Sequence, residues 1–252
     1  MLRGPSSRSI RRRQGLAFGA LAAILAVVGL AGGAFEGTAP AQTTQAKPNV
    51  VVVMTDDQTV EDMGALRKVR DLIGQSGTTF TRNFSTFPLC CPSRATYLTG
   101  QYSHNSGVRS NTPPEGGYYA LDSRNTLPVW LRNAGYATAH IGKYLNGYAT
   151  RDPHEVPAGW EEWQASIDSR YHYFRYCLNE NGRLVTYGQD EHLATACPNA
   201  DERPSIYQGD LYSSRAADYI NRRAPSAQPF FLSVGYLAPH GGGPHRDMRG
   251  TA

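Results

Sequence analysis

Four consecutive valines set the first limit on this chain. They stand in Asn49-Val50-Val51-Val52-Val53-Met54-Thr55, and β-branched side chains suit a pleated strand better than a helix. A run that is apolar at every position predicts a central strand buried on both faces, as in parallel sheets. It ends in Asp56-Asp57. Residues 60–75 carry Met63, Leu66, Val69 and Leu72/Ile73 at helical spacing, with Gly77 as a stop. A short strand or extended segment is expected over 78–84. Thr126 and Pro128 open another helix, which Gly135 ends, and a strand over 136–141 leads into Gly142-Lys143. Residues 150–209 are aromatic and irregular and read as a substrate-side insertion with short strands. A helix over 210–222 and a strand over 229–236 follow, the latter running into Ala238-Pro239-His240. Strands alternating with helices imply an α/β fold with a mostly parallel sheet flanked by helices. Ligands of such sheets bind beyond the carboxyl ends of the strands, where Asp56, Asp57, Lys143 and His240 all fall.

A second stretch adds reactive chemistry: Pro88-Leu89-Cys90-Cys91-Pro92-Ser93-Arg94-Ala95-Thr96-Tyr97-Leu98-Thr99-Gly100. Proline suits the first helical turn because its missing N–H would have no partner there. Cys90 is thereby placed at a helix N-terminus, where unpaired N–H groups favour negative charge. Arg94, one turn on, can reach back toward it. Taken singly, each of these residues has an ordinary explanation. Most cysteines are buried and inert, Asp pairs are common in turns, and most lysines are simply solvated. His140 reads as a structural strand residue, whereas His240 suits a loop position for proton transfer to a leaving oxygen.

Charge sets the leader apart from the rest. The formal net charge is +4, from 25 basic and 21 acidic residues. Setting aside residues 1–41, with Arg3, Arg8, Arg11, Arg12, Arg13 and the single acid Glu36, leaves 20 of each sign. Nothing therefore points to nucleic acid. The basic head, the apolar run over 16–34 and Ala39-Pro40-Ala41 read as an export signal of bacterial type, giving a secreted or extracytoplasmic protein. About 20 apolar residues can also span a bilayer, so an uncleaved membrane anchor stays open, and Arg12-Arg13 hints at twin-arginine export. Residues 42–47 are a polar linker, and 48–252 form the catalytic domain. In an oxidising compartment Cys177 and Cys197 are the plausible disulfide pair, two free thiols being the alternative.

Cys90-Cys91-Pro92-Ser93-Arg94 with Leu98-Thr99-Gly100 resembles the signature of the type I sulfatases. Tyr97 departs from it in a minor way. Pro48 to Gln58 is similar to that family's first strand with its two metal-binding aspartates, and Gly142-Lys143-Tyr144-Leu145-Asn146 to its sulfate-binding segment. With Ala238-Pro239-His240 the likeness is to the N-acetylglucosamine-6-sulfatase and heparan sulfate endosulfatase branch, over roughly residues 47–240. The resemblance implies an alkaline-phosphatase-like fold and hydrolysis of a sulfated carbohydrate or aryl sulfate. It implies conversion of Cys90 to formylglycine (3-oxoalanine) by a dedicated installing enzyme. It also implies one Ca²⁺ held by Asp56, Asp57 and residue 90, with Arg94, Lys143 and His240 completing the catalytic set.

One departure matters. Members of the family are about twice as long and add a later Asp-Asn pair and a second lysine. The tail from Gly241 to Ala252 has no such pair, and Asp247 lies too near His240 to replace it. The expectation is the N-terminal portion of the fold: a fragment, a frameshifted product or a degenerate homologue, with little activity on its own. Two further readings stay open, a phosphonate or phosphodiester hydrolase and a non-catalytic binder of sulfated glycans, the latter resting on the aromatic stretch 160–176.

Overall fold

The valine run forms β1 (Val50–Asp56) in a computed structural model that describes residues 46–167, 172–188 and 191–242. The expected export segment and the tail with Asp247 lie outside the described residues. A 3-10 turn (Glu61–Gly64), α1 (Arg67–Val69) and a π-helical turn (Arg70–Gly74) follow, then α2 (Cys90–Thr99), α3 (Ser103–Ser106) and α4 (Leu127–Asn133). The remaining elements are β2 (Ala137–Gly142), β3 (Glu162–Ser166), β4 (Tyr176–Glu180), β5 (Arg183–Tyr187), α5 (Glu191–Ala196), β6 (Asp201–Arg203), α6 (Gln208–Arg223) and β7 (Phe230–Pro239). The strands join in one sheet ordered β1-β7-β2-β3-β4-β5-β6. β1, β7, β2 and β3 run parallel, β4 is antiparallel to both its neighbours, and β6 is parallel to β5. This is the mostly parallel α/β sheet expected from the sequence.

Alternation along the central strands sorts side chains onto two cores. Ala137, Ala139 and Ile141 of β2 and Phe230, Leu232 and Val234 of β7 meet Tyr212 and Tyr219 of α6. Ala216 and Ile220 extend that stripe at helical spacing. On the opposite face, Phe231, Val50 and Val52 pack with Ala95 and Leu98 of α2 and with Trp160 and Trp163.

Four expectations need correction. β1 is an edge strand among the described residues: it pairs only with β7, and Val51 and Val53 are 43% and 59% exposed. The fully buried centre is β2, whose sequence mixes Thr138 and His140 with small apolar residues. The apolar stripe of 60–75 exists but is broken into three short turns with no buried residue, because no described element covers it. Residues 78–84 form no strand, and Phe80 and Phe84 are exposed. Residues 150–209, finally, do hold the short strands expected, but these extend the main sheet as β3 to β6 instead of standing apart from it as an insertion. The α4 reading holds, with Thr126 at the N-cap and Pro128 in the first turn, although the Thr126 hydroxyl donates to Ser123 O instead of capping. Cys177 and Cys197 are disulfide-bonded, which ties α5 to β4.

His140 projects into the aromatic core, its ring 5.0–5.4 Å from Tyr144, Trp160 and Trp163. Burial, aided by the nearby Arg94 charge, pushes its pKa down to about 3. The unfolded chain takes up this proton near pH 6.5 and the folded one does not, so stability present above pH 6.5 is lost as pH falls toward 3. The slope should approach about 1.4 kcal/mol per pH unit. Urea titrations of wild type and His140→Gln over this window check it: the variant should lose less stability on acidification.

Candidate active site

The carboxyl ends of β1, β2 and β7 converge on one point. β1 and β7 are registered with Asp56 opposite Pro239, which sets His240 beside Asp57. Asp57 takes a left-handed backbone (φ 56°) that Asp tolerates in turns. Its carboxylate therefore turns outward while that of Asp56 stays buried. His240 Nε2 lies 3.4 Å from Asp57 Oδ2. Lys143 follows β2 directly, and its ammonium contacts Asp56 Oδ2 and lies 3.8 Å from Cys90 Sγ. Cys90 is the first residue of α2, with its sulfur 3.9 Å from Asp57 Oδ1. Arg94, one turn along, reaches Asp56 Oδ1 at 3.5 Å and donates to Lys143 O at 2.8 Å. Every candidate from the sequence is thus in one cluster.

The electrostatics are lopsided. Asp56, Arg94 and Lys143 have side chains only 5–6% exposed, so two buried cations share one buried carboxylate. Burial raises the Cys90 thiol above its ordinary value, with Lys143 and Arg94 opposing the shift and both aspartates adding to it. A cysteine that acts as a thiolate needs the reverse shift. Burial thus holds residue 90, as a thiol, toward its neutral form.

The family model for sulfatases matches residues 48–248. The chain belongs to the sulfatase family. It is 35% identical over 205 residues to the human N-acetylglucosamine-6-sulfatase, covering 77% of this chain and 34% of that protein. Against the extracellular sulfatase SULF-1 homologue of Drosophila melanogaster it is 33% identical over 204 residues, covering 77% of this chain and 17% of the other. The crystal structure of Ps i-CgsB with k-i-k-neocarrahexaose superposes with TM-score 0.59 at 22% identity, over 77% of this chain and 46% of that one. The chain thus spans only 34% and 17% of the length of these two curated relatives.

Asp56 and Asp57 suit a hard divalent cation in kind, whereas the Cys90 thiol and the His240 imidazole beside them are softer donors. One donor atom from each of Asp56, Cys90 and His240 lies within 4.8 Å of the others, and Asp57 adjoins. The cluster falls short in number, since Ca²⁺ takes six to eight oxygens and the described aspartates supply two carboxylates. Two residues that sequence reasoning missed hold the parts in place. Asn111 Oδ1 accepts the Cys91 N–H at 2.8 Å, anchoring the start of α2, and the Tyr173 hydroxyl donates to His240 O at 2.5 Å. Tyr173 lay in an aromatic cluster noted for another reason, and Asn111 gave no local signal. Of the aromatic stretch 160–176, Trp160, Trp163, Tyr173 and Tyr176 are buried and Phe174 is half-buried, while Tyr171 lies outside the described residues.

Gly235 makes the packing behind the site possible. A methyl there would overlap Lys143 O and come within 3.1 Å of Arg94 Nη1. Since a backbone oxygen cannot swing away, Gly235→Ala should cost about 1–3 kcal/mol. Thermal unfolding, together with titration of inorganic sulfate, should show both stability and anion affinity falling.

Proposed function

We propose that this chain is the sulfate-handling portion of an exported sulfuric ester hydrolase acting on a sulfated sugar of the N-acetylglucosamine-6-sulfate type. The observation that carries the reading is the pair of buried cations, Lys143 and Arg94, set beside Cys90 at the ends of three strands. A sulfate group brings negative oxygens to that point, and preorganised charge there is usually the largest catalytic term. Lys143, within reach of residue 90, would bind a sulfate oxygen. Arg94 would hold the side chain of residue 90 and the end of β2 in register. His240, fixed through Tyr173, would protonate the departing sugar oxygen.

Conversion of Cys90 to formylglycine by an installing enzyme would exchange the poorly ionised thiol for an aldehyde, whose hydrate supplies the attacking hydroxyl. Held by Asp56, Asp57 and residue 90, a Ca²⁺ ion would supply Lewis-acid polarisation of the sulfate. The leader over residues 1–41, basic and then apolar, supports export.

Mass spectrometry of the peptide 83–94, from protein made in a host that modifies other sulfatases, tests the reading. The expected product has lost the thiol and gained an aldehyde. Aryl sulfate turnover should fall about 10⁴-fold or more in Cys90→Ala, as for loss of a covalent nucleophile. An intact thiol, or clear preference for an aryl phosphonate, would overturn the proposal.

A further inference from the structure

The helix that carries residue 90 has no cap of its own. Leu89 stands at the N-cap of α2 and supplies no side-chain acceptor. A capping oxygen takes the N–H of the second or third helical residue. The third is Pro92, which has none, and Ser93 N–H already donates to Leu89 O at 2.9 Å. The donor left for a cap is therefore the N–H of Cys91. Its acceptor is Asn111 Oδ1, 2.8 Å away and 20 residues further along the chain.

Asn111 is held in turn by a closed loop. Arg109 N–H donates to Glu115 O at 2.8 Å, Gly117 N–H to Ser110 O at 3.0 Å and Thr112 N–H to Ser110 Oγ at 3.3 Å. Ser110 and Gly116 form a bridge so close that a methyl on Gly116 would sit 1.9 Å from Ser110 O. The loop then delivers Tyr118, whose N–H donates to Asn146 O at 2.7 Å. Cys91 Sγ lies 4.0 Å from the same carbonyl oxygen. Asn146 ends the segment 143–146, which begins with Lys143. One loop, 109–118, thus grips both the start of α2 and the segment that follows β2. Between the two lies the 3.8 Å gap from Cys90 Sγ to Lys143 Nζ.

We propose that Asn111 is a positioning residue: it caps α2 from outside, and the loop 109–118 is the clamp that sets residue 90 against Lys143. Its effect on turnover rests on the hydrolase reading above, whereas the clamp itself does not. Cys91 reports on the clamp, because its side chain is fully buried at the gripped point.

Thiol labelling of the full chain carrying Cys90→Ala tests the clamp, since Cys177 and Cys197 are disulfide-bonded and Cys91 is then the one free thiol. Adding Asn111→Ala should speed the labelling of Cys91 about tenfold, within the range of a lost N-cap. The rate should depend little on urea below the unfolding transition, as a local opening exposes little surface. Asn111→Asp keeps the acceptor and should restore protection. Unchanged labelling in Asn111→Ala, or labelling that rises with urea as steeply as global unfolding does, would overturn the clamp. In the formylglycine-bearing protein with Ca²⁺, Asn111→Ala should lower kcat for an aryl sulfate about 10–100-fold with KM within about twofold, because a displaced reacting group costs rate more than binding. Faster labelling with unchanged kcat would overturn the positioning role and leave the clamp standing. No turnover by the wild type, with labelling as expected, would overturn the hydrolase reading instead.

Discussion

Asp56→Asn should destabilise chelator-treated protein by about 3–5 kcal/mol, far more than Asp57→Asn. The substitution removes the one carboxylate that contacts both Lys143 and Arg94, whose side chains are each 6% exposed. Removing one partner of a buried ion pair is strongly destabilising, and here one carboxylate serves two buried cations. For a chain of this size the midpoint should drop by about 6–20 °C. Asp57 is 59% exposed at its side chain and faces His240, so Asp57→Asn should fall within about 0.5 kcal/mol of wild type. Inorganic sulfate should restore much of the loss in Asp56→Asn, because an anion that binds only the folded state stabilises it by mass action. Thermal scans with increasing sulfate separate this from generic damage to the sheet. Equal losses in the two variants, or no rescue by sulfate, would mean that the pocket is not organised around buried positive charge.

How much of this could be read beforehand depended on the range of the signal. Cys90, Pro92 and Arg94 are local to one helix, and Asp56, Lys143 and His240 each end a strand, so chain order and one topological rule assembled them. Pairing order is not local. Nothing within the valine run distinguishes a strand at the centre of a sheet from one at its edge, since that depends on what lies alongside. The stripe Met63, Val69, Leu72 and Ile73 showed which side of 60–75 is apolar but not what covers it. Trp160 and Trp163 illustrate the same limit: aromatic content was visible, whereas burial against His140 and Tyr144 comes from β2 pairing with β3. Asn111 and Tyr173 act through single contacts across 20 and 67 residues, which no spacing encodes.

A polypeptide of residues 46–252 should associate in solution, and Val51→Lys with Val53→Lys should return it toward a monomer. β1 presents one unpaired edge among the described residues, with Val51 and Val53 exposed on the same face by the two-residue alternation of a strand. Val69, Leu72, Ile73, Phe80 and Phe84 are exposed as well. A long, apolar, unpaired edge templates pairing with another chain, and single charges placed on it are a common natural defence. Val50 and Val52 pack on the α2 core, so lysines at 51 and 53 leave that face intact. Sedimentation or light scattering across a concentration series should show high-mass species in the parent and a large reduction in the double variant, with similar circular dichroism. Replacing Leu72 and Ile73 by glutamate gives the complementary arm: if it suppresses association and the lysines do not, the contact runs through the face of 61–74 and not through strand pairing. A parent that stays monomeric at high concentration would show that residues outside 46–252 are not needed to shield this edge.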